Sequence, residues 1–425
     1  MKKCVCILIL ISILLCGCGT GHSADATAAT TESVPAPTQS AEEVLAQRRD
    51  IVEGEMRRMM SVLWRSDSNI VYTERPGFQS MDYEIAHHPD RISTIVKGRI
   101  YSGLPYAHGS GSGDSFLSYS AGPDEDGIYN ISGLGAASLS GNGSSDNARI
   151  SNNCADAVFW AWARVSNSIT FMGTSSMTES NGCIPVGSYD CSNAGFTYKR
   201  TKDITAANGS DVMYASYSKL QKADAVVQFN REGHAMLISQ VIVQMDGDAI
   251  HPTQSYVLVL DQISSQLKGE KSYYDESIGQ TVYRCGGVDR KITFQELFDY
   301  GYLPVTCEEL IDPSPLEEVT VRDSEKTAEF SNITKGSFTA NYRISSVTIT
   351  IYDKSGNVVQ KATCFGKEEE MYRFQLSRFS ELAEQKVLQG SLDLKNLAAG
   401  SYRCTHVCHV STGEDIVVRD FTFDK

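Results

Sequence analysis

The sequence predicts an α+β domain, with a helix packed on an antiparallel sheet, followed by an all-β sandwich. Three observations carry this. SNNCADAVFWAWARV, at 151–165, places capping asparagines before a stretch with an apolar face, which reads as a helix starting near Cys154. ADAVVQF, HAMLISQVIV and SYVLVLDQI are apolar, β-branched runs bounded by polar residues, and they read as successive strands. After DPSPLEE, short alternating runs separated by turn residues continue to the last residue.

The chain begins with MKK and the apolar run VCILILISILL, a pattern of signal-peptide length and too short to span a membrane comfortably. LCGC follows, ending at Cys18. It resembles the bacterial lipobox, which implies a lipid on Cys18 and a signal segment over 1–18. A diacylglyceryl group brings two acyl chains, enough for stable anchoring. Residues 19–40 are rich in Ala, Thr, Ser and Pro and lack large apolar side chains, so they read as a flexible tether. About 20 such residues reach roughly 25 Å.

The folded chain then begins. Leu45, Val52, Met56, Met59 and Leu63 recur at helical spacing over 41–65. This helix and the α+β domain together occupy 41–312. STIVKGRIYSG reads as a helix tail entering a Gly-rich loop, and 108–152 as a long surface insertion. In the last segment, 315–425, SSVTITIY turns at DKSG into NVVQKAT, and GSLDLKNLAAGSYRCTHVCHV turns at STGED into IVVRDFTF. These strands resemble an immunoglobulin-like sandwich, and Tyr402, two residues before Cys404, resembles its tyrosine corner. SFTANYRI lacks the cysteine that an inter-sheet disulfide requires.

Charge narrows the partners. The net charge of −14 argues against nucleic acid and against electrostatic capture of anionic wall polymers. Of twelve cysteines, eight follow Cys18. Cys183 and Cys191 flank the turn-forming IPVGSYD and form the favoured disulfide pair. Cys404, His406 and Cys408 in CTHVCH share a strand face, yet no further ligand accompanies them, so packing or a disulfide with Cys364 is the expectation there. No metal and no cofactor is expected.

Cys154 carries the chemistry. The first turn of a helix favours a thiolate, and its free N–H groups favour an oxyanion. A cysteine nucleophile needs a base; His234 opens an apolar strand, and the next strand ends in Asp261 and Gln262, either of which would orient the imidazole. GLPYAHG with Tyr106, NNCADAVFWAW with Cys154, KADAVV with Asp224, GHAMLI with His234 and LVLDQ with Asp261 together resemble the NlpC-type papain-like cysteine peptidases of bacterial cell walls. ITFQELFDYGYLPVT is similar to a closing segment of exported members. The resemblance covers about 92–312. It implies a papain-like fold, Cys154 as nucleophile, His234 as base, Asp261 as orienting residue, and Tyr106 and His108 lining the substrate groove. Three departures are Asn153 before the nucleophile, where many members have Asp, the long spacing from Tyr106 to Cys154, and Asp261 or Gln262 at the third position, where members commonly have His.

The expected activity is hydrolysis of a peptidoglycan stem peptide or other peptide substrate by a lipid-anchored protein facing the cell wall. Two alternatives share these residues: a surface-binding lipoprotein with an inactive domain, and a thiol acyltransferase. Replacing the lipidated cysteine tests the anchor. Cys18→Ser is expected to move the protein out of the membrane fraction or to block its maturation, and intact mass measurement should find the acyl chains only on the wild type.

Overall fold

The computed structural model describes residues 39–425 except 75–80, 90–91, 108–110, 137–138, 140–149, 171–172, 178, 192–199, 231–232, 264–271, 326, 367–371 and 385–387. The lipidation segment with Cys18, and His108, lie outside the described residues. Residues Ser40–Lys425 form one compact unit.

Helix α1, Ala41–Ser61, starts at a capping box: Ser40 accepts from the Glu43 N–H while the Glu43 carboxylate accepts from the Ser40 N–H. Val52, Met56, Met59 and Met60 are buried, as the periodicity requires. Leu63 lies beyond the helix, in the strand Leu63–Ser66. Two arginines are buried on the same helix. Arg49 pairs with Asp224 at 2.8 Å and donates to the Leu310 carbonyl. Arg48 donates to the carbonyls of Glu309, Asp312 and Ser314. The helix is thereby fastened to the turn before the sheet and to the chain leaving the domain.

Helix α2, Cys154–Trp162, is buried over its whole length. It packs beside a six-stranded sheet of β1 (Cys183–Pro185), β2 (Ala225–Phe229), β3 (Gly233–Ile242), β4 (Tyr256–Gln262), β5 (Gly286–Thr293) and β6 (Leu303–Cys307), in the order β5-β4-β3-β2-β6-β1. Every neighbouring pair is antiparallel. The three runs expected as strands are β2, β3 and β4. Helix α3, Phe294–Tyr300, has its own capping box from Thr293 and Glu296 and ends at Gly301. That glycine has φ +73°, and a Cβ there would stand 2.5 Å from Lys202 Cα, so the chain turns into β6 only with glycine.

Two expectations are corrected. STIVKGRIYSG supplies strands Ile92–Ile95 and Ile100–Ser102, not a helix tail. Short β-branched runs beside Gly resemble either element in periodicity, and pairing with Ile70–Thr73 and Leu63–Ser66 decides. The described part of the Gly/Ser-rich stretch is folded in. Helix Gly113–Leu117 buries Phe116 under a Ser112 cap, and Tyr129–Ile131 pairs in parallel with Leu63–Ser66. Isolated apolar residues, with no period to reveal them, fill the core at Ile128, Ile131 and Leu134.

The C-terminal segment is a β-sandwich. A five-stranded sheet, in the order Gln389–Ser391, Val358–Phe365, Ile344–Asp353, Ser401–Val410, Asp415–Asp424, accompanies a three-stranded sheet of Val321–Asp323, Ser337–Ala340 and Arg373–Gln375. Phe338, Tyr342, Val347, Ile349, Phe374 and Phe379 belong to its core. The Tyr402 hydroxyl donates to the Ala398 carbonyl at 3.0 Å, tying the long strand to its incoming loop.

This sandwich has its own core yet rests on the first domain. Arg343, 5 % exposed, spreads its guanidinium over the rings of Phe159 and Trp160 of α2, at 4.7 and 4.6 Å from the centroids. Phe365 joins the first domain's core beside Tyr119, and Tyr372 donates to the Asn167 carbonyl. A desolvated cation–π contact contributes about 2 kcal/mol. Arg343→Ala is therefore expected to lower unfolding stability by at least about that much in urea titration.

Candidate active site

The local sequence sets the start of α2. Asn153 is extended and its side-chain oxygen accepts from the N–H groups of Ala155 and Asp156 at 2.9 and 3.1 Å. Its amide nitrogen is 2.5 Å from the Asp156 carboxylate, which fixes the cap's orientation. Cys154 is the first helical residue. The expectation that several first-turn N–H groups serve an oxyanion needs correction. The cap occupies two, Ala157 bonds back to Asn153, and the Cys154 N–H is the one left for a substrate oxygen among these residues.

His234 is the second residue of β3. Gly233 before it lets the turn Thr174–Ser176 press against the strand's start; a Cβ on Gly233 would fall 1.8 Å from Thr174 Oγ1. Asp261 is the penultimate residue of β4. Leu260 faces Leu237 across the antiparallel pair, so Asp261 is diagonal to His234 on the neighbouring strand. Side chains at such diagonal positions reach each other when they are long. His234 Nε2 lies 2.8 Å from Asp261 Oδ1, and the carboxylate is fully buried. The Cys154 sulfur is a further electrostatic neighbour of the imidazole. Cysteine, histidine and aspartate are therefore brought into one group.

Sequence reasoning missed the fourth member. Arg290 on β5 places Nη2 2.6 Å from Asp261 Oδ2. Between Val259 and Asp261 the register slips: Arg290 faces Val259, but Gly287 faces Asp261. The extra residue makes a bulge, and Asp289 within it has φ +53°. Asp289 is held there by Arg57 at 2.9 Å and by the Ser239 hydroxyl at 2.7 Å. Bulges beside a site re-aim side chains. The charged pair Asp289-Arg290 beside two glycines was visible in sequence; the slip that turns it was not. Both contacts to Asp261 are close but fall outside straight hydrogen-bond angles, so charge carries them.

Burial opposes a charged imidazole at His234, but the Asp261 carboxylate and then the Cys154 sulfur outweigh it, and the pKa is raised to about 10. Tyr302, between α3 and β6, is a second residue missed. Burial pushes its phenol up, and Asp261, Arg290 and Cys154 are among its electrostatic neighbours.

The remaining candidates separate. Tyr106 lies beside the segment that leads into Cys154: its backbone bridges Asn152 in parallel, and Ala107 donates to the Asn152 carbonyl at 3.3 Å. Gln262 is fully buried and donates to the carbonyls of Leu104, at 3.0 Å, and Asn152, at 3.4 Å. It ties those two segments together, leaving Asp261 as the residue on the imidazole. Asp224 is the buried partner of Arg49.

Neither expected disulfide is present among the eight described cysteines, all of which carry free thiols, Cys307 included. Cys183 and Cys191 are both free, with Cys191 beside Glu179. Cys364 and Cys408 both face Val347 from opposite sides, so a whole strand separates them. Two strand spacings amount to about 9.6 Å, beyond the reach of a disulfide. Cys404, His406 and Cys408 are packed in the sandwich core, where His406 meets the Ile333 carbonyl at 2.8 Å. Burial lowers the His406 pKa to about 4. Among the described residues, no group of three or more His, Cys, Asp or Glu side chains is arranged to hold a metal ion.

No protein-family model matches the chain, and no curated protein matches it.

The sign of the His234 shift sets a pH dependence. Its folded pKa lies above the ordinary 6.5, so the stabilisation it contributes is complete below about pH 6.5 and is lost as pH rises through about 10. NMR titration of the His234 ring should show a proton retained to near pH 10. In Asp261→Asn the transition should fall to or below the ordinary value, because burial then acts with less opposition.

Proposed function

We propose that the protein is an extracytoplasmic thiol peptidase or amidase of the papain-like, NlpC type that hydrolyses peptide bonds in peptidoglycan stem peptides or their cross-bridges. The observation that supports this most is the grouping of Cys154, His234 and Asp261, with the thiol at a capped helix start and a carboxylate 2.8 Å from the imidazole. The resemblance of GLPYAHG, NNCADAVFWAW, KADAVV, GHAMLI and LVLDQ to that family supports the substrate class, and the lipobox at Cys18 supports an anchor in the membrane facing the wall. The C-terminal sandwich is read as immunoglobulin-like, and the Tyr402 corner bond supports that.

The geometry suggests an order of proton movements. With its pKa raised to about 10, His234 carries its proton at neutral pH, and attack requires the Cys154 sulfur as thiolate. The Cys154 sulfur attacks the substrate carbonyl carbon, and the Cys154 N–H receives the oxygen as it becomes negative. His234 gives its proton to the departing amine, and an acyl-enzyme remains on Cys154. His234, now neutral, takes a proton from water as the water attacks the thioester, and the acid leaves with the thiol restored as thiolate. Asp261 keeps the imidazole turned toward sulfur throughout and stabilises its charge.

The test is digestion of purified peptidoglycan by residues 40–425, with mass spectrometry of the released fragments. New amino and carboxyl termini are expected, and they name the bond. Cys154→Ala and His234→Ala should each lower turnover by at least about 10³-fold, and the double variant should lose little more, because the pair acts as a unit. Asp261→Ala should lose less. Intact peptidoglycan after digestion with a Cys154 that still alkylates rapidly at neutral pH would transfer the site to another acyl substrate. Slow alkylation, unchanged in His234→Ala, would make Cys154 structural.

A further inference from the structure

The disulfide favoured by chain spacing is absent, but the fold creates another cysteine pair. Cys183 on β1 stands directly opposite Cys307 on β6 in an antiparallel ladder. Directly opposed residues project to the same sheet face, and both thiols are buried, at 1 % and 0 % exposure. The ladder type follows from one bond. The Val186 N–H donates to the Pro304 carbonyl at 2.9 Å, and these two residues also face each other in this register. Val186 and Pro304 are therefore a hydrogen-bonded pair. The two pair types alternate along an antiparallel ladder, so Pro185–Val305 is non-hydrogen-bonded, Ile184–Thr306 hydrogen-bonded, and Cys183–Cys307 non-hydrogen-bonded. Non-hydrogen-bonded partners have Cα atoms about 4.5 Å apart and the closer side chains. That separation lies inside the span of about 4.4–6.8 Å that disulfides occupy.

We propose that Cys183 and Cys307 form a structural disulfide when the chain folds in the presence of a disulfide-exchange oxidant. One cysteine thiolate attacks the oxidant's S–S bond, joining it as a mixed disulfide and releasing one oxidant thiolate. The second cysteine thiolate attacks the protein sulfur of that bond, and the other oxidant sulfur leaves. Two protein thiols lose two protons and two electrons, and the oxidant gains both as two thiols. The exchange belongs to folding. In the native protein burial pushes both thiols up, Cys183 to about 12, which keeps them protonated and unreactive.

The position explains what such a bond would do. β1 is a three-residue strand at the sheet edge, held by a single neighbour, β6. The chain between the two cysteines carries His234, Asp261, Arg290 and Tyr302. A bond closing so long a loop restricts the unfolded chain strongly and stabilises the part of the sheet that bears the site. It lies outside the group of Cys154, His234 and Asp261, so it leaves the chemistry alone and holds whether or not the protein is a peptidase.

Peptide mapping tests this without any variant. The full chain is refolded in a mixture of oxidised and reduced glutathione, alkylated in denaturant, and digested without reduction. A cross-linked peptide containing Cys183 and Cys307 is expected, and it should disappear on reduction. Full alkylation of both residues, or a link from Cys183 to Cys191, overturns the proposal. As a second measurement, reduction should lower the wild-type melting temperature by at least about 3 °C, and should leave the melting temperature of a Cys183→Ala, Cys307→Ala double variant unchanged. Equal shifts in both proteins overturn the stabilising role.

Discussion

The centre of the molecule is arranged around one buried carboxylate. Asp261 has no exposure to water. Taking a carboxylate out of water costs several kcal/mol, and the loss is offset only by opposite charge at close range. His234 and Arg290 supply that charge at 2.8 and 2.6 Å from the two oxygens. The requirement runs in both directions. Without the cations the buried carboxylate would stand uncompensated, and without the carboxylate burial would act on the imidazole with less opposition. The state in which a proton waits on His234 beside the Cys154 sulfur is thus a property of three strands held in one register.

Holding that register is the task of elements remote from the chemistry. Arg290 of β5 reaches Asp261 from beside the slip, and Arg57 of α1 holds the positive-φ Asp289 within it. The same helix buries Arg49 against Asp224, at the turn that leads into β2. Removing one partner from that buried pair leaves an uncompensated charge, so α1 is bound to the sheet there, while the exposed Arg57–Asp289 pair adds less. On the opposite side, Arg343 of the sandwich covers Phe159 and Trp160, five and six residues along the helix that begins with Cys154. The sandwich thereby supports the helix that begins with Cys154, and the two cores meet at that helix.

Much of this arrangement was legible in the sequence because it depends on short-range chemistry. An asparagine before an apolar helical run caps it whatever lies around it, so the start of α2 at Cys154 followed from SNNCADAVFWAWARV. The β-branched runs gave β2, β3 and β4, and the order of Cys154, His234 and Asp261 along the chain suggested their meeting. The choice between Asp261 and Gln262 required the pleat. Neighbours on a strand face opposite ways, so only one of them meets His234, and Gln262 turns to the carbonyls of Leu104 and Asn152 instead.

What the sequence by itself determined is therefore the set of local elements: the capped helices, the apolar strands, the β-rich C-terminal third and the residue types able to act together. The tertiary structure alone decided which of them meet. It folded Phe116, Ile128 and Ile131 of a Gly/Ser-rich stretch into the core, placed Arg290 on Asp261 beside a bulge, and set Cys183 opposite Cys307. The physical reason is range. Capping and periodicity act over a few residues and are written in their order, whereas a bulge, a cross-strand partner or a buried ion pair depends on strands far apart in the chain, whose register is fixed only when the whole sheet closes.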